Sequence, residues 1–416
     1  MNPNMTQAVS RRSFMRIFGA ASAAATTFPA FAGIQQPATQ AASPSDRRNG
    51  MRGMQLSSDT VIISSNENPL GPAQCALTAI CNTASLGGRY HFDEYVKTIN
   101  VFNEQFGLKK DYSALFPGSG GPLDLALMSN LGPDKPLVYG DPSYEQGPRA
   151  ADTMKAPKYP VPLTATYAHD VKGMLKAHPS PGAYYIVNPN NPTGTMTPKA
   201  DIVWLVNNKP KGSVVIIDEA YHHFSNDESC IDLVALDKDV IVMRTFSKIY
   251  GMAGIRAGFA VARPDLIERF NNVGAPSRSL ASISITSAAA ARASLQDKEL
   301  VPLRKKINSD IRSETLEFLT KHGYKIVPGS QGNMFMVDVK RPGREFQAAM
   351  LKENVAIGRT WSAMPNYVRV TVGTKTEMEK FQTAFVKCMD LPPGAANGAA
   401  SLHLPEFHVP SELYRG

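Results

Sequence analysis

"RTFSKIYGMAGIRAGF", residues 244–259, sets one lysine behind a Thr-x-Ser turn and one arginine eight residues further on, with three glycines among them. The run that leads into it, "DVIVMRTF" (239–246), is apolar and β-branched, as a buried parallel strand requires. Lys248 then stands just past the carboxyl end of that strand. Desolvation and a neighbouring cation can hold such an amine unprotonated, able to form an imine with an aldehyde. Taken alone, the same lysine reads first as an ordinary surface cation at a strand end, so its surroundings decide.

Working outward, "YYIV" (184–187) and "SVVIID" (213–218) are two more buried-strand runs, separated by helical stretches such as 199–208. The alternation predicts an α/β fold: a large domain with a mostly parallel, doubly wound sheet, whose ligand crevice lies at the carboxyl ends of the strands. Asp218 ends one strand. A lone buried acid there is costly unless it meets a cation such as a protonated pyridine nitrogen; it also suits a helix N-cap before "EAYHHF". "NPNNPTG" (188–194) follows another strand, and Asn191 is either a donor to a phenolic oxygen or part of a plain Asn-Pro turn.

"FPGSGGPLDLAL" (116–127) is a Gly-rich turn entering an apolar helix, which exposes backbone N–H groups suited to a phosphate. It is neither a Walker sequence nor a dinucleotide fingerprint. Thr245, Ser247 and Arg256 offer two hydroxyls and a two-pronged cation to the same anion, although each also suits a turn or a surface. Tyr144, in "YGDPSYEQG" (139–147), either stacks on a planar heterocycle or packs in the core.

In this order, and with "SSNENPLGP" (64–72), "NPNNPTGT" (188–195), "IIDEAYHHF" (216–224) and "YVRVTVGT" (367–374), the chain resembles the fold-type I, class I/II aminotransferases that use pyridoxal 5'-phosphate (PLP). The motifs are most similar to the histidinol-phosphate aminotransferase branch, from about residue 60 to 390. The resemblance implies that Lys248 is the Schiff-base lysine and proton shuttle, that Asp218 partners the pyridinium nitrogen, and that Asn191 and Tyr221 bond the ring phenolate. It further implies that Ser119, Gly120, Thr245, Ser247 and Arg256 hold the phosphate, with Tyr144 stacked on the ring. Tyr90, in "GRYHFDE" (88–94), matches a tyrosine that crosses a homodimer interface to the neighbouring phosphate. Arg369 matches the arginine that grips the substrate α-carboxylate, Asn68 matches a segment that closes over the substrate, and Arg359 sits near the branch's substrate-phosphate position or forms a salt bridge inside the small domain. Trp361 and His222 or His223 are further pocket candidates. Two motifs depart from the branch, which usually has Arg-Tyr-Pro-Asp where this chain has "RYHFDE", and an acidic turn where it has "GSGGPLD".

The activity implied is transfer of an amino group between an L-amino acid, or a histidinol-phosphate-like amine, and a 2-oxo acid by a ping-pong mechanism. Oxidation, decarboxylation or racemisation of an amino acid on the same scaffold is the first alternative, and a non-catalytic PLP-binding module the second.

The domain reading is a signal over 1–32, a linker over 33–56, and an arm over 57–85 that joins the small domain. A large PLP-binding domain over 86–300, a smaller α+β domain over 301–390 and a tail over 391–416 follow. "SRRSFMRIFGAASAAATTFPAFAG" (10–33) has the paired arginines, apolar stretch and Ala-x-Ala end of a twin-arginine-type signal. That predicts export to the periplasm, or a cytoplasmic location if the signal is not used. Its apolar stretch is too short to span a bilayer, so no membrane association is expected after cleavage.

Of 416 residues, 43% are hydrophobic and 19% charged, a globular composition. The net charge of +8 includes Arg11, Arg12 and Arg16 in the signal-like segment, and the rest is spread without a basic run, so nucleic acid is not an expected partner. The four cysteines have no metal-ligand spacing and read as mostly buried thiols, with one disulfide left open.

Overall fold

The computed structural model of the chain describes residues 59–273 and 282–390; the signal-like segment, the linker and the C-terminal tail lie outside the described residues. Its strands are β1 (Val61–Ile63), β2 (Ser113–Phe116), β3 (Leu137–Asp141), β4 (Lys158–Pro162), β5 (Ala183–Val187), β6 (Val214–Asp218), β7 (Val240–Thr245), β8 (Gly258–Ala262), β9 (Met334–Asp338), β10 (Val355–Ile357) and β11 (Tyr367–Thr371). Seven of them form one sheet in the order β2-β8-β7-β6-β5-β3-β4. The pairs from β7 to β4 are parallel, and β8 runs antiparallel to both of its neighbours. The chain therefore has the mostly parallel α/β sheet that the alternation of strands and helices predicts.

The central strands read as unbroken apolar runs because both of their faces are covered. On one face Val138, Tyr184, Ile186, Val215, Ile217 and Val242 join a core that continues through Phe102, Leu205 and Phe259. On the other, Leu137, Tyr185, Val187, Ile216 and Met243 pack against Leu123, Leu127 and Phe270. Helix Lys199–Asn208 presents Ile202, Leu205 and Val206 to the first core, the i, i+3, i+4 stripe of one buried face. The Ala-rich helix Ile285–Gln296 starts where Ser284 Oγ accepts from Ser287 N at 3.1 Å. Its small side chains let helices Gln74–Ala84 and Phe92–Phe106 pack closely upon it.

A separate core forms around the antiparallel pair β9–β11 and the short parallel pair β1–β10. Phe335, Phe346, Val368, Phe381 and Phe385 fill it, together with Val61 and Ile63 from the opposite end of the chain. Helix Leu300–Lys321 connects the two regions, with Leu300 in the large-sheet core and Leu319 in the small one. The segment read as a single arm is divided: β1 joins the small core, whereas helix Gln74–Ala84 packs on the large one. All four cysteines are free; Cys230 and Cys388 are buried, Cys75 is partly so and Cys81 is exposed, so only half fit the expected burial. No helix among the described residues is long and apolar enough to cross a membrane.

Candidate active site

The site lies where β5, β6 and β7 end. Register pairs Val187 with Asp218 and Tyr185 with Ile216. The two-residue period of a strand then puts Tyr185 and Asp218 on one face of adjacent strands. The Tyr185 hydroxyl donates to Asp218 Oδ2 at 3.3 Å, and the Ala220 amide donates to Oδ1 at 3.0 Å. Burial raises the Asp218 pKa to about 6, while those two donors and the Lys248 charge draw it back down. A carboxylate so enclosed is suited to a cationic partner. The carboxylate also pushes the buried Tyr185 hydroxyl well above its ordinary range, after burial itself. Tyr144 and Tyr221 add to that effect, which places both near the Tyr185 hydroxyl.

Lys248 follows β7, and its Nζ lies 3.2 Å from the Ser65 carbonyl and 5.3 Å from the centre of the Tyr221 ring. Behind these residues Glu219 and Arg244 form a buried ion pair at 2.9 Å that ties β6 to β7. Burial alone would raise the Glu219 carboxyl, but Arg244 and its hydrogen bonds hold it below the usual range. His223 Nε2 lies 3.1 Å from Arg244. His222 is buried and His223 half-buried, so neither is an exposed surface group.

The three asparagines of "NPNNPTG" separate by task. Asn188 bonds Thr197 through both ends of its amide, and Asn190 bonds the Pro142 carbonyl, Thr193 and Ser143, so these two staple the loop. Asn191 instead accepts from Arg369 at 2.7 Å, leaving its amide nitrogen as the donor end. Arg369, buried on β11, also donates to the Ser64 carbonyl at 2.6 Å. Gly358 is needed beside it, since a Cβ there would stand 2.6 Å from the Arg369 carbonyl oxygen.

At the anion end, Arg256 Nη1 reaches Ser247 Oγ at 3.3 Å, and Thr245 Oγ1 donates to the same hydroxyl at 2.9 Å. The guanidinium crosses to the Gly-rich turn, where Gly118 has φ +83° and a Cβ would lie 2.2 Å from Arg256 Nη2. Ser119 precedes helix Gly120–Met128 without capping it through its side chain, so the first N–H groups of the helix keep their affinity for an anion. An amine, a buried carboxylate and a cradle of N–H, hydroxyl and guanidinium donors match the aldehyde, ring nitrogen and phosphate of PLP.

Residues 64–66 open the "SSNENPLGP" motif but were given no role of their own there, yet each touches a residue of the site. Ser64 meets Arg369, Ser65 meets Lys248, and Asn66 Nδ2 donates to the Tyr221 hydroxyl at 3.0 Å. Asn66 is buried at φ +53°, a conformation asparagine tolerates better than most residues. Asn68 has a different occupation from the one expected: its amide donates to the Ile249 carbonyl and its Oδ1 accepts from Leu70 N, which holds a turn. "SSNENP" offers two asparagines two positions apart, and the motif alone does not separate them.

Arg359 bonds Glu145 Oε2 at 2.5 Å, so its salt bridge reaches the large sheet's side and not the interior of the small region. Its guanidinium lies 4.4 Å from the centre of Trp361, with Arg369 at 5.4 Å from the same ring. Tyr90 is 68% exposed beside Phe92 and is not among the residues gathered here.

Residues 58–385 match the family described as aminotransferase class I and II. The chain is 30% identical over 341 residues to histidinol-phosphate aminotransferase 1 of Nitrosococcus oceani, covering 81% of this chain and 89% of that one. It is also 30% identical to the aromatic amino acid aminotransferase of Cutibacterium acnes, over 80% of this chain and 96% of the relative. The crystal structure of histidinol-phosphate aminotransferase from Sinorhizobium meliloti, in complex with PLP, superposes with a TM-score of 0.73 at 21% identity, covering 84% of this chain and 95% of that one. This chain belongs to the class I and II aminotransferases and is a PLP-dependent transaminase.

Proposed function

We propose that the enzyme moves an amino group between an L-amino acid, or a histidinol-phosphate-like amine, and a 2-oxo acid by two alternating half-reactions. The observation that carries this reading is the convergence of Lys248, the buried Asp218 and the Asn191–Arg369 pair at one set of strand ends.

PLP, when bound, supplies an aldehyde for the incoming amine and a ring that takes up the electron pair left as a Cα–H bond breaks. Asp218 keeps the ring nitrogen protonated, while Asn191 and Tyr221 bond the ring hydroxyl oxygen. The N–H groups at Ser119 and Gly120, with Thr245, Ser247 and Arg256, would hold the phosphate, and Tyr144 would stack on the ring. Arg369 grips the α-carboxylate of donor and acceptor alike. Lys248 Nζ would take the Cα proton and return it two atoms along, on the far side of the amino nitrogen, the shuttle that separates amino transfer from simple binding. The oxo acid from the donor leaves before the acceptor enters, which is the ping-pong order.

A homodimer belongs to the same proposal, supported by the exposure of Tyr90 and Phe92 on one surface. So does export through the paired-arginine segment, with the cofactor loaded before passage.

The test is an absorption spectrum of the purified protein with PLP, before and after L-amino acids are added without an acceptor. A band that borohydride abolishes, and that shifts to the aminated-cofactor form with particular donors, is expected. Carbon dioxide or peroxide among the products would instead assign a decarboxylase or an oxidase.

A further inference from the structure

Glu145 follows Tyr144 and stands at the start of helix Gln146–Thr153. One of its oxygens, Oε2, accepts from two arginines: Arg149 of the same helix at 2.8 Å, and Arg359 at 2.5 Å from the far end of the chain. Arg359 lies over Trp361, its guanidinium 4.4 Å from the ring centre. The indole is fixed in turn, because its Nε1 donates to the Ser143 carbonyl at 3.1 Å. Arg369 packs on the same indole. A substrate whose α-carboxylate is held by Arg369 therefore has a second guanidinium across one aromatic surface, and that guanidinium already carries a carboxylate supplied by the protein.

We infer that Glu145 is a specificity-determining residue: it acts as an internal anion that competes for Arg359 with any acidic group on the substrate side chain. This rests on the aminotransferase reading above, in which Arg369 takes the α-carboxylate. An uncharged donor leaves the Glu145–Arg359 pair intact. A donor with a second carboxylate or a phosphate must displace Glu145 or accept its repulsion, and discrimination by an unfavourable like charge is a common way to reject a rival ligand. Arg149 keeps a partner for Glu145 when Arg359 is engaged elsewhere, so exclusion is graded and not absolute.

The test uses the PLP-loaded wild type, E145Q, E145A and the double variant E145Q/R359M. Conversion of the bound cofactor is followed by absorbance with L-aspartate, L-glutamate and O-phospho-L-serine on one side, and L-leucine and L-phenylalanine on the other. The readout is the ratio of kcat/KM for acidic over uncharged donors, together with the inhibition constant of inorganic phosphate. In E145Q and E145A the ratio is expected to rise about tenfold and phosphate to inhibit about tenfold more tightly. Both gains should vanish in the double variant, because they act through Arg359. A ratio and a phosphate constant that stay within about twofold of wild type in both single variants overturn the inference. So does a gain that persists without Arg359. A wild type that converts none of the five donors overturns the aminotransferase reading and this inference with it.

Discussion

The two halves of the site are built in different ways. The half proposed to face the cofactor comes from consecutive strand ends of one sheet: Asn191 after β5, Asp218 at the end of β6, Lys248 after β7, and Arg256 just before β8. Its positions are set by backbone pairing, and its one isolated buried charge is Asp218. The half proposed to face the substrate comes from segments about three hundred residues apart, 64–66 and 358–371, which meet because β1 pairs with β10 and β11 lies alongside. Its charges are already neutralised or bonded within the protein, through Arg359 to Glu145 and Arg369 to Asn191 and the Ser64 carbonyl. A sheet can hold a buried carboxylate ready for a tightly held cofactor. A surface that exchanges substrates keeps its charges paired between visits.

The sharpest way to break this contrast is Lys248→Ala, which removes the only proposed proton carrier. Turnover is expected to fall by about 10⁴-fold, while the far-ultraviolet circular dichroism stays that of wild type. Retention of turnover in a steady-state assay would sink the proposed scheme.

Arg369→Leu tests the substrate half. It leaves Asn191 without its bonded guanidinium and the α-carboxylate without its grip, so kcat/KM for uncharged donors should drop by about 10²-fold or more. Equilibrium PLP affinity, read by fluorescence, should change far less. An equal loss in both would show that the two halves are not separable.

Asp218→Asn asks whether the cofactor half stores an unfavourable charge. The folded pKa, raised to about 6, means that the folded protein without PLP holds its proton more tightly than the unfolded chain does. Stability from this group is then fully present below about pH 4 and is lost as pH rises through about 6. Without PLP, the variant should therefore be more stable than wild type at pH 7, by on the order of 3 kcal/mol at most. The denaturant midpoint at pH 4 and pH 7 measures it, and a variant less stable at both would contradict it. With PLP the order should reverse.

The smallest effect is expected from Tyr185→Phe, which removes one donor to Asp218 from a ring that is otherwise buried in the core. At 3.3 Å this bond falls at the low end, roughly 1.5 kcal/mol, of what a hydrogen bond to a charged acceptor is worth. PLP affinity should weaken by about tenfold or somewhat more, read by equilibrium dialysis. No change in affinity would make Tyr185 a packing residue only.

Much of the cofactor half was legible because strand-end chemistry is local. "YYIV", "SVVIID" and "DVIVMRTF" became β5, β6 and β7 with boundaries shifted by a residue or two, and Lys248 and Asp218 fall at their ends. Tyr185 was hidden by the same signal, since in an apolar run a tyrosine reads as core and only the register to β6 reveals its hydroxyl beside Asp218. The substrate half was harder, because its contacts join residues roughly three hundred positions apart. "SSNENPLGP" marked the right segment, but the choice between Asn66 and Asn68 depends on a left-handed residue that no spacing announces. Arg359 could be named from its motif, yet its partner Glu145 belongs to a different stretch and is found only in the folded chain.

The short pairing of β1 with β10 carries a mechanical consequence. Ile63 lies against Ile357 in that two-stranded ribbon, and the next three residues reach in turn to Arg369, Lys248 and Tyr221. Three residues of chain span at most about 10 Å, too little slack to absorb a shift. The small region therefore cannot slide over the large one without pulling residues 64–66 along, so the ribbon works as a linkage that turns a movement of one layer into a change of grip around the lysine.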